Sequence, residues 1–151
     1  MTRPAQTRPI TILYADDDAD DRLLVREALE EAKLRNDLRT VADGEELMDY
    51  LLRRGAYTDP ASSPRPGIIL LDLNMPRKDG REALAEIKAH ESLKKIPVIV
   101  LTTSQAEEDI LRSYDLGVSS FVCKPVTFEA MVDKIAMIGR YWFEIVELPD
   151  E

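Results

Sequence analysis

The sequence has almost no cysteine. Cys123 stands alone inside an apolar run, so no internal disulfide can form and the thiol reads as core packing. That usage fits a reducing cytoplasm. Histidine is as scarce: His90 is the single one, at an expected exposed helix end, where a lone imidazole is rarely a ligand. No basic cluster exists beyond the pairs Arg53-Arg54 and Lys94-Lys95, and the formal net charge is -9. A basic face is what non-specific binding to nucleic acid or to an anionic membrane requires, so neither partner is expected. Long apolar runs are missing too. None approaches the roughly 20 residues needed to span a bilayer. Met1 to Pro9 is polar and contains proline, without the apolar region of a signal peptide. Residues 1–9 read as a flexible tail.

What is present is a clean alternation of strand and helix. The 151 residues suit one domain with a single sizeable core. Ile10 to Ala15 is strand-like and runs into the acids Asp16 to Asp21, which open a helix to about Lys33. Val25, Ala28, Leu29 and Ala32 make its buried stripe. Leu38 to Ala42 is a second strand. Asp43 and Glu46 mark the next helix start, with Leu47, Met48, Leu51 and Leu52 inward. From Gly55 to Pro66 there is no period, and the loop exceeds the roughly 4–6 residues usual between elements. It is either a partner contact or an idle insertion. A helix from Asp79, a strand over Ile96 to Leu101, a helix capped by Ser104 and ended by Gly117, and a strand over Val118 to Cys123 follow. Thr127 should cap the last helix. The pattern calls for a doubly wound, five-stranded parallel sheet with helices on both faces.

The centre of the pattern is Ile68-Ile69-Leu70-Leu71-Asp72-Leu73-Asn74-Met75-Pro76. Four aliphatic residues in a row suit a central strand covered on both faces. Asp72 falls where that strand should emerge, and ligands bind outside the carboxyl ends of such strands. The other strand ends supply Asp16 and Asp17, Thr102 and Lys124. If the strands are neighbours, these side chains converge. Three carboxylates in one pocket repel one another unless a cation or a proton intervenes. Oxygen ligands favour Mg²⁺, with Mn²⁺ possible. A metal, a lysine and a hydroxyl around a nucleophilic carboxylate are the parts that phosphoryl transfer needs, and the product would be an aspartyl phosphate on Asp72.

With these residues in order and at strand ends, the chain resembles the CheY-like receiver domains of two-component response regulators over nearly its whole length. The resemblance implies a flavodoxin-like strand order 2-1-3-4-5. It implies that Asp72 accepts a phosphoryl group from the phosphohistidine of a sensor histidine kinase. Asp17, Asp72 and the backbone carbonyl of Asn74 would bind Mg²⁺ directly, and Asp16 would act through a metal-bound water. Thr102 and Lys124 would contact the phosphoryl oxygens. Phe121 matches the switch aromatic that turns inward when Thr102 moves, and the Lys124-Pro125 bond is expected to be cis, as in the family. The long loop before the third strand, Leu101-Thr102-Thr103-Ser104 with Glu107-Glu108-Asp109-Ile110, and the aromatic end Tyr141 to Pro149 are similar to a narrower group. These are single-domain response regulators that partner phytochrome-type sensor kinases, including bacteriophytochromes. Thr103 departs from the Ala or Gly frequent after Thr102 and should narrow access to the phosphoryl group.

On this reading residues 10–149 form a receiver without an output domain, signalling by protein contact to a downstream protein that the sequence does not name. A phosphorelay carrier is the alternative within the class. The C-terminal helix is expected to be extended, from Thr127 to about Glu147. Ile138, Tyr141, Trp142, Phe143 and Ile145 near its end would then be candidates for a homodimer contact, unless the helix stops near Gly139. Two rivals fare worse. Asp16, Asp18, Asp20 and Glu27 have EF-hand spacing, but Asp21 stands where the calcium loop needs glycine. An aspartate-based phosphohydrolase commonly has a second Asp two residues after the nucleophile, where this chain has Asn74. Asp18, Asp20 and Asp21 are expected to be a solvated helix start.

Overall fold

The computed structural model describes residues 10–34, 36–73, 75, 77–78, 80–102, 117–118 and 120–140, with the side chain of Thr102 left out. Five strands form one parallel sheet: β1 (Thr11–Ala15), β2 (Asp37–Val41), β3 (Ile68–Asp72), β4 (Val98–Thr102) and β5 (Ser120–Cys123). Their spatial order is β2-β1-β3-β4-β5, as expected. Four helices are described: α1 (Ala19–Glu31), α2 (Gly44–Leu52), α3 (Gly80–Ala89) and α4 (Phe128–Ile138). The helix expected from Ser104 lies outside the described residues.

The caps follow from the sequence. Asp18 accepts from the Asp20 amide at 2.8 Å and starts α1. Asp43 accepts from the Glu46 amide at 2.8 Å, while Glu46 reaches back to the Ala42 amide at 2.7 Å. Thr127 caps α4 through the Ala130 amide at 3.1 Å. Each satisfies amides that a helix start would otherwise leave unpaired. The fourth strand starts at Val98 rather than Ile96. Leu93–Lys95 forms a 3-10 turn that Ile96 closes through its amide, and Pro97 has no N–H for the ladder.

Strand alternation sorts the core into two layers. Leu13, Ala15, Ile69, Leu71, Val98 and Val100 pack with α2 and α3. Ile12, Tyr14, Ile68, Leu70, Ile99 and Leu101 pack with α1 and α4. The 55–66 loop is tied to the body. It holds a 3-10 turn over Gly55–Tyr57, Tyr57 donates its hydroxyl to Glu46, and Tyr50 donates to the Pro64 carbonyl at 2.8 Å. Arg39 donates to the Ser62 carbonyl at 2.7 Å, and Ser63 is buried.

Two expectations need correction. The Lys124-Pro125 peptide is trans, since the described residues contain no cis bond. The trans form is favoured by about 0.5–1 kcal/mol even before proline. Ile138 is not available for a dimer contact. It lies one and two turns beyond Ile135 and Met131 on the inward stripe of α4 and is buried against α1 and the sheet within the protomer. The α-helical segment ends at Ile138 with Gly139 as its cap. Tyr141, Trp142, Phe143 and Ile145 lie outside the described residues.

Candidate functional site

The register brings the charged strand ends together. Ala15 pairs with Leu71 across β1 and β3, so Asp16 follows on the edge beside Asp72. Asp72 pairs with Leu101 and Thr102 with Cys123, which sets the end of β4 between Asp72 and Lys124. Alternation then selects a face. Tyr14, Leu70 and Val122 all pack with the α1 and α4 layer. Asp16, Asp72 and Lys124 each follow one of these by two positions and share that face.

There Lys124 Nζ donates to Asp16 Oδ2 at 2.7 Å, to Asp21 Oδ2 at 2.9 Å and to Asp72 Oδ2 at 3.3 Å. Asp16 is fully buried and Asp72 is 3 % exposed. Such depth is tolerable for carboxylates only when they are well partnered. Asp16 is. Its Oδ2 also accepts from the Tyr14 hydroxyl at 2.6 Å, its Oδ1 accepts from the Asp18 amide at 2.9 Å, and its own carbonyl accepts from Arg22 at 2.6 Å. Burial on its own would lower the pKa of Lys124. The hydrogen bonds to Asp16 and Asp21 and the charge of Asp72 outweigh it, so the ammonium is held above the ordinary lysine range. Burial, then the Asp16 charge, pushes the Tyr14 phenol well above the ordinary tyrosine value.

Asp16, Asp17 and Asp72 each offer an oxygen, and the three oxygens lie within 4.8 Å of one another. Asp16 and Asp72 are buried and Asp17 is exposed, which leaves one open side. An oxygen-only set with an open side fits a hard divalent cation that keeps water in its shell. Gly80 lets the backbone of α3 close on the strand end that carries Asp72. A Cβ there would fall 2.5 Å from Leu73 Cα and 2.6 Å from the Asp72 carbonyl oxygen, and its amide donates to the Leu73 carbonyl at 2.9 Å. The start of α3 thus packs directly on the strand that carries Asp72.

Of the residues expected from sequence, Asp16, Asp17, Asp72 and Lys124 are brought together. Thr102 is placed by its backbone only, and Asn74 and Thr103 lie outside the described residues. Phe121 is half-buried against the α2 and α3 layer, on the opposite face from Lys124. Two site residues went unread. Tyr14 is inside the first strand, and its spacing of two from Asp16 puts both on one face. Asp21 was counted with the solvated acids. It lies four residues before Val25 and seven before Ala28, at the head of the inward stripe of α1.

This fold and this edge define a signalling switch module, and the comparisons with known proteins agree. The model of the response regulator receiver domain matches residues 12–136, and the chain belongs to that family. Members work as phosphoacceptor switches. Among curated proteins, the chain is 43% identical over 141 residues to response regulator Rcp1 of Synechocystis sp., covering 93% of this chain and 94% of that one. Rcp1 has been crystallised in a Mn²⁺-bound form, which superimposes with a TM-score of 0.81 at 42% identity, over 94% of this chain and 100% of that one. The phosphorylated cyanobacterial phytochrome response regulator RcpA gives 0.83 at 41% identity, over 95% and 100%. The bacteriophytochrome response regulator RtBRR gives 0.77 at 40% identity, over 94% and 85%. The protein is therefore a response regulator receiver akin to phytochrome response regulators. No described helix is long and apolar enough to cross a membrane.

Proposed function

We propose that Asp72 is the phosphoacceptor of a cytoplasmic two-component pathway and that the donor is the phosphohistidine of a phytochrome-type sensor kinase, of the bacteriophytochrome kind. The observation that carries this reading is the near-buried Asp72 carboxylate, in contact with Lys124 Nζ and within ligand distance of Asp16 and Asp17. A carboxylate oxygen of Asp72 attacks phosphorus in line. The new O–P bond forms as the P–N bond to the imidazole breaks, and that electron pair stays on the ring. Mg²⁺, when bound, would neutralise charge on the transferring group. Asp17, Asp72 and the Asn74 carbonyl would hold it, with Asp16 acting through a bound water. Lys124 and Thr102 stabilise the phosphoryl oxygens, and Phe121 reports the switch. The chain does this as an acceptor and not as a turnover enzyme, because Asn74 stands where phosphohydrolases carry a second acid. Similarity to RcpA and RtBRR supports the choice of kinase. A homodimer through Tyr141, Trp142, Phe143 and Ile145 belongs to the same reading, and sedimentation velocity tests it.

The test of the chemistry is intact-mass spectrometry after incubation with Mg²⁺ and acetyl phosphate. The parent should gain one phosphoryl group, and neither Asp72→Asn nor an EDTA-treated parent should. If acetyl phosphate fails, phosphorylated phytochrome kinase is the donor to try. No transfer from either donor rejects the reading.

A further inference from the structure

The phosphoryl chemistry above has no use for Asp21, yet Asp21 sits on Lys124. An ammonium has three N–H groups. Here Asp16, Asp21 and Asp72 accept all three, and the longest contact, 3.3 Å, is the one to the acceptor. The three acceptors are not equally free to let go. Asp16 is fully buried and locked by Tyr14 and the Asp18 amide. The Asp21 side chain is 32% exposed, so water can replace the ammonium there. Asp21 also sits in the first turn of α1, where the helix dipole favours a carboxylate and holds it in place.

We propose that Asp21 is a positioning residue. It holds the Lys124 ammonium on the α1 side of the site and competes for it with a phosphoryl group on Asp72. Phosphoryl oxygens gain Lys124 fully only by drawing it from Asp21, so Asp21 lowers the affinity of the site for a phosphoryl group and shortens its lifetime. This inference rests on the phosphoacceptor role proposed for Asp72. It differs from simple charge repulsion, because the effect runs through one hydrogen-bonded lysine.

The neighbouring acid provides the control. Asp20 is one residue away, carries the same charge, is exposed, and spends its backbone amide on Asp18. The experiment uses the full chain and measures, by calorimetry with Mg²⁺ present, the affinity for beryllium trifluoride as a phosphoryl mimic. The rate of phosphoryl loss is followed in parallel by intact mass. Asp21→Asn should bind the mimic about tenfold tighter and lose phosphoryl several-fold more slowly, the size expected for a coupled contact pair. Asp20→Asn should stay within about twofold of the parent, as an exposed charge does. An unchanged or weakened affinity in Asp21→Asn overturns the proposal, and so does an equal gain in Asp20→Asn, which would mean through-space repulsion. A parent that takes up neither mimic nor phosphoryl group would reject the phosphoacceptor role itself. A parent that binds, with Asp21→Asn unchanged, rejects only the part given to Asp21.

Discussion

The two faces of the sheet reach the same carboxyl edge and end differently. On the α2 and α3 face the strands finish in Val41, Leu71 and Leu73, and the layer stays apolar to its rim with Met75 and half-buried Phe121. On the α1 and α4 face the edge is made by Asp16, Asp72 and Lys124 at the ends of β1, β3 and β5, with Tyr14 beneath them. One face is held by close packing that needs no exact partner. The other is apolar beneath but closes at its edge on a small set of directed bonds among charges that would be costly alone. A single position of register separates them, because side chains alternate with a period of two.

The contrast can be broken on either side. The largest effect should come from the apolar face. Leu84→Ala, buried in the α2 and α3 layer, should cost about 2–5 kcal/mol in denaturant unfolding and leave divalent-cation binding unchanged. Lys124→Met is the matching blow to the polar face. It strands two buried carboxylates and should cost roughly 2–3 kcal/mol in EDTA, somewhat less than a fully buried broken pair. Mg²⁺ should restore part of that loss. In Leu84→Ala, Mg²⁺ should stabilise variant and parent alike and leave the gap between them unchanged, and equal behaviour of the two variants would erase the distinction between the faces. Tyr14→Phe keeps the ring and removes one hydroxyl bond to a charged partner, for about 1–2 kcal/mol.

Alkali sharpens the comparison further. Lys124 and Tyr14 both have folded pKa values raised above their unfolded ones. Their stabilising effect is therefore fully present below the unfolded values of about 10 and fades as pH rises through the folded ones. Tyr14 should stay protonated in a spectrophotometric titration until the protein unfolds. A phenolate signal from all five tyrosines below the unfolding pH would contradict its burial. The smallest effect belongs to neither face. Lys94→Ala breaks an exposed pair with Glu91 that should be worth less than about 1 kcal/mol.

The alternation of strand and helix, the two-layer packing and four of the residues that meet at the carboxyl edge were legible because each leaves a local mark, whereas the strand order came from the family resemblance. A buried parallel strand is an apolar run, and the polar residue that ends it lies at the ligand edge. Asp16, Asp17, Asp72 and Lys124 all carry that mark. Asp21 and Tyr14 do not. One looks like any acid at a helix start, and the other like any large residue in a core strand. The peptide before Pro125 went wrong for a related reason: the pattern there came from a resemblance, and both isomers are cheap enough for context to choose. Ile138 went wrong because the body still covers the inward stripe of α4 at its last turn, so the stripe stays in the core further along than expected.

Sequence alone determined the elements, their caps and the acids and lysine at the strand ends, since helix and strand periods and capping chemistry are local. Only the tertiary structure decided which of six candidate carboxylates, from Asp16 to Asp21 and Asp72, meet Lys124. That choice depends on sheet register and on the phase of α1 against the sheet, and both are fixed by packing between segments as far apart as Asp16 and Lys124.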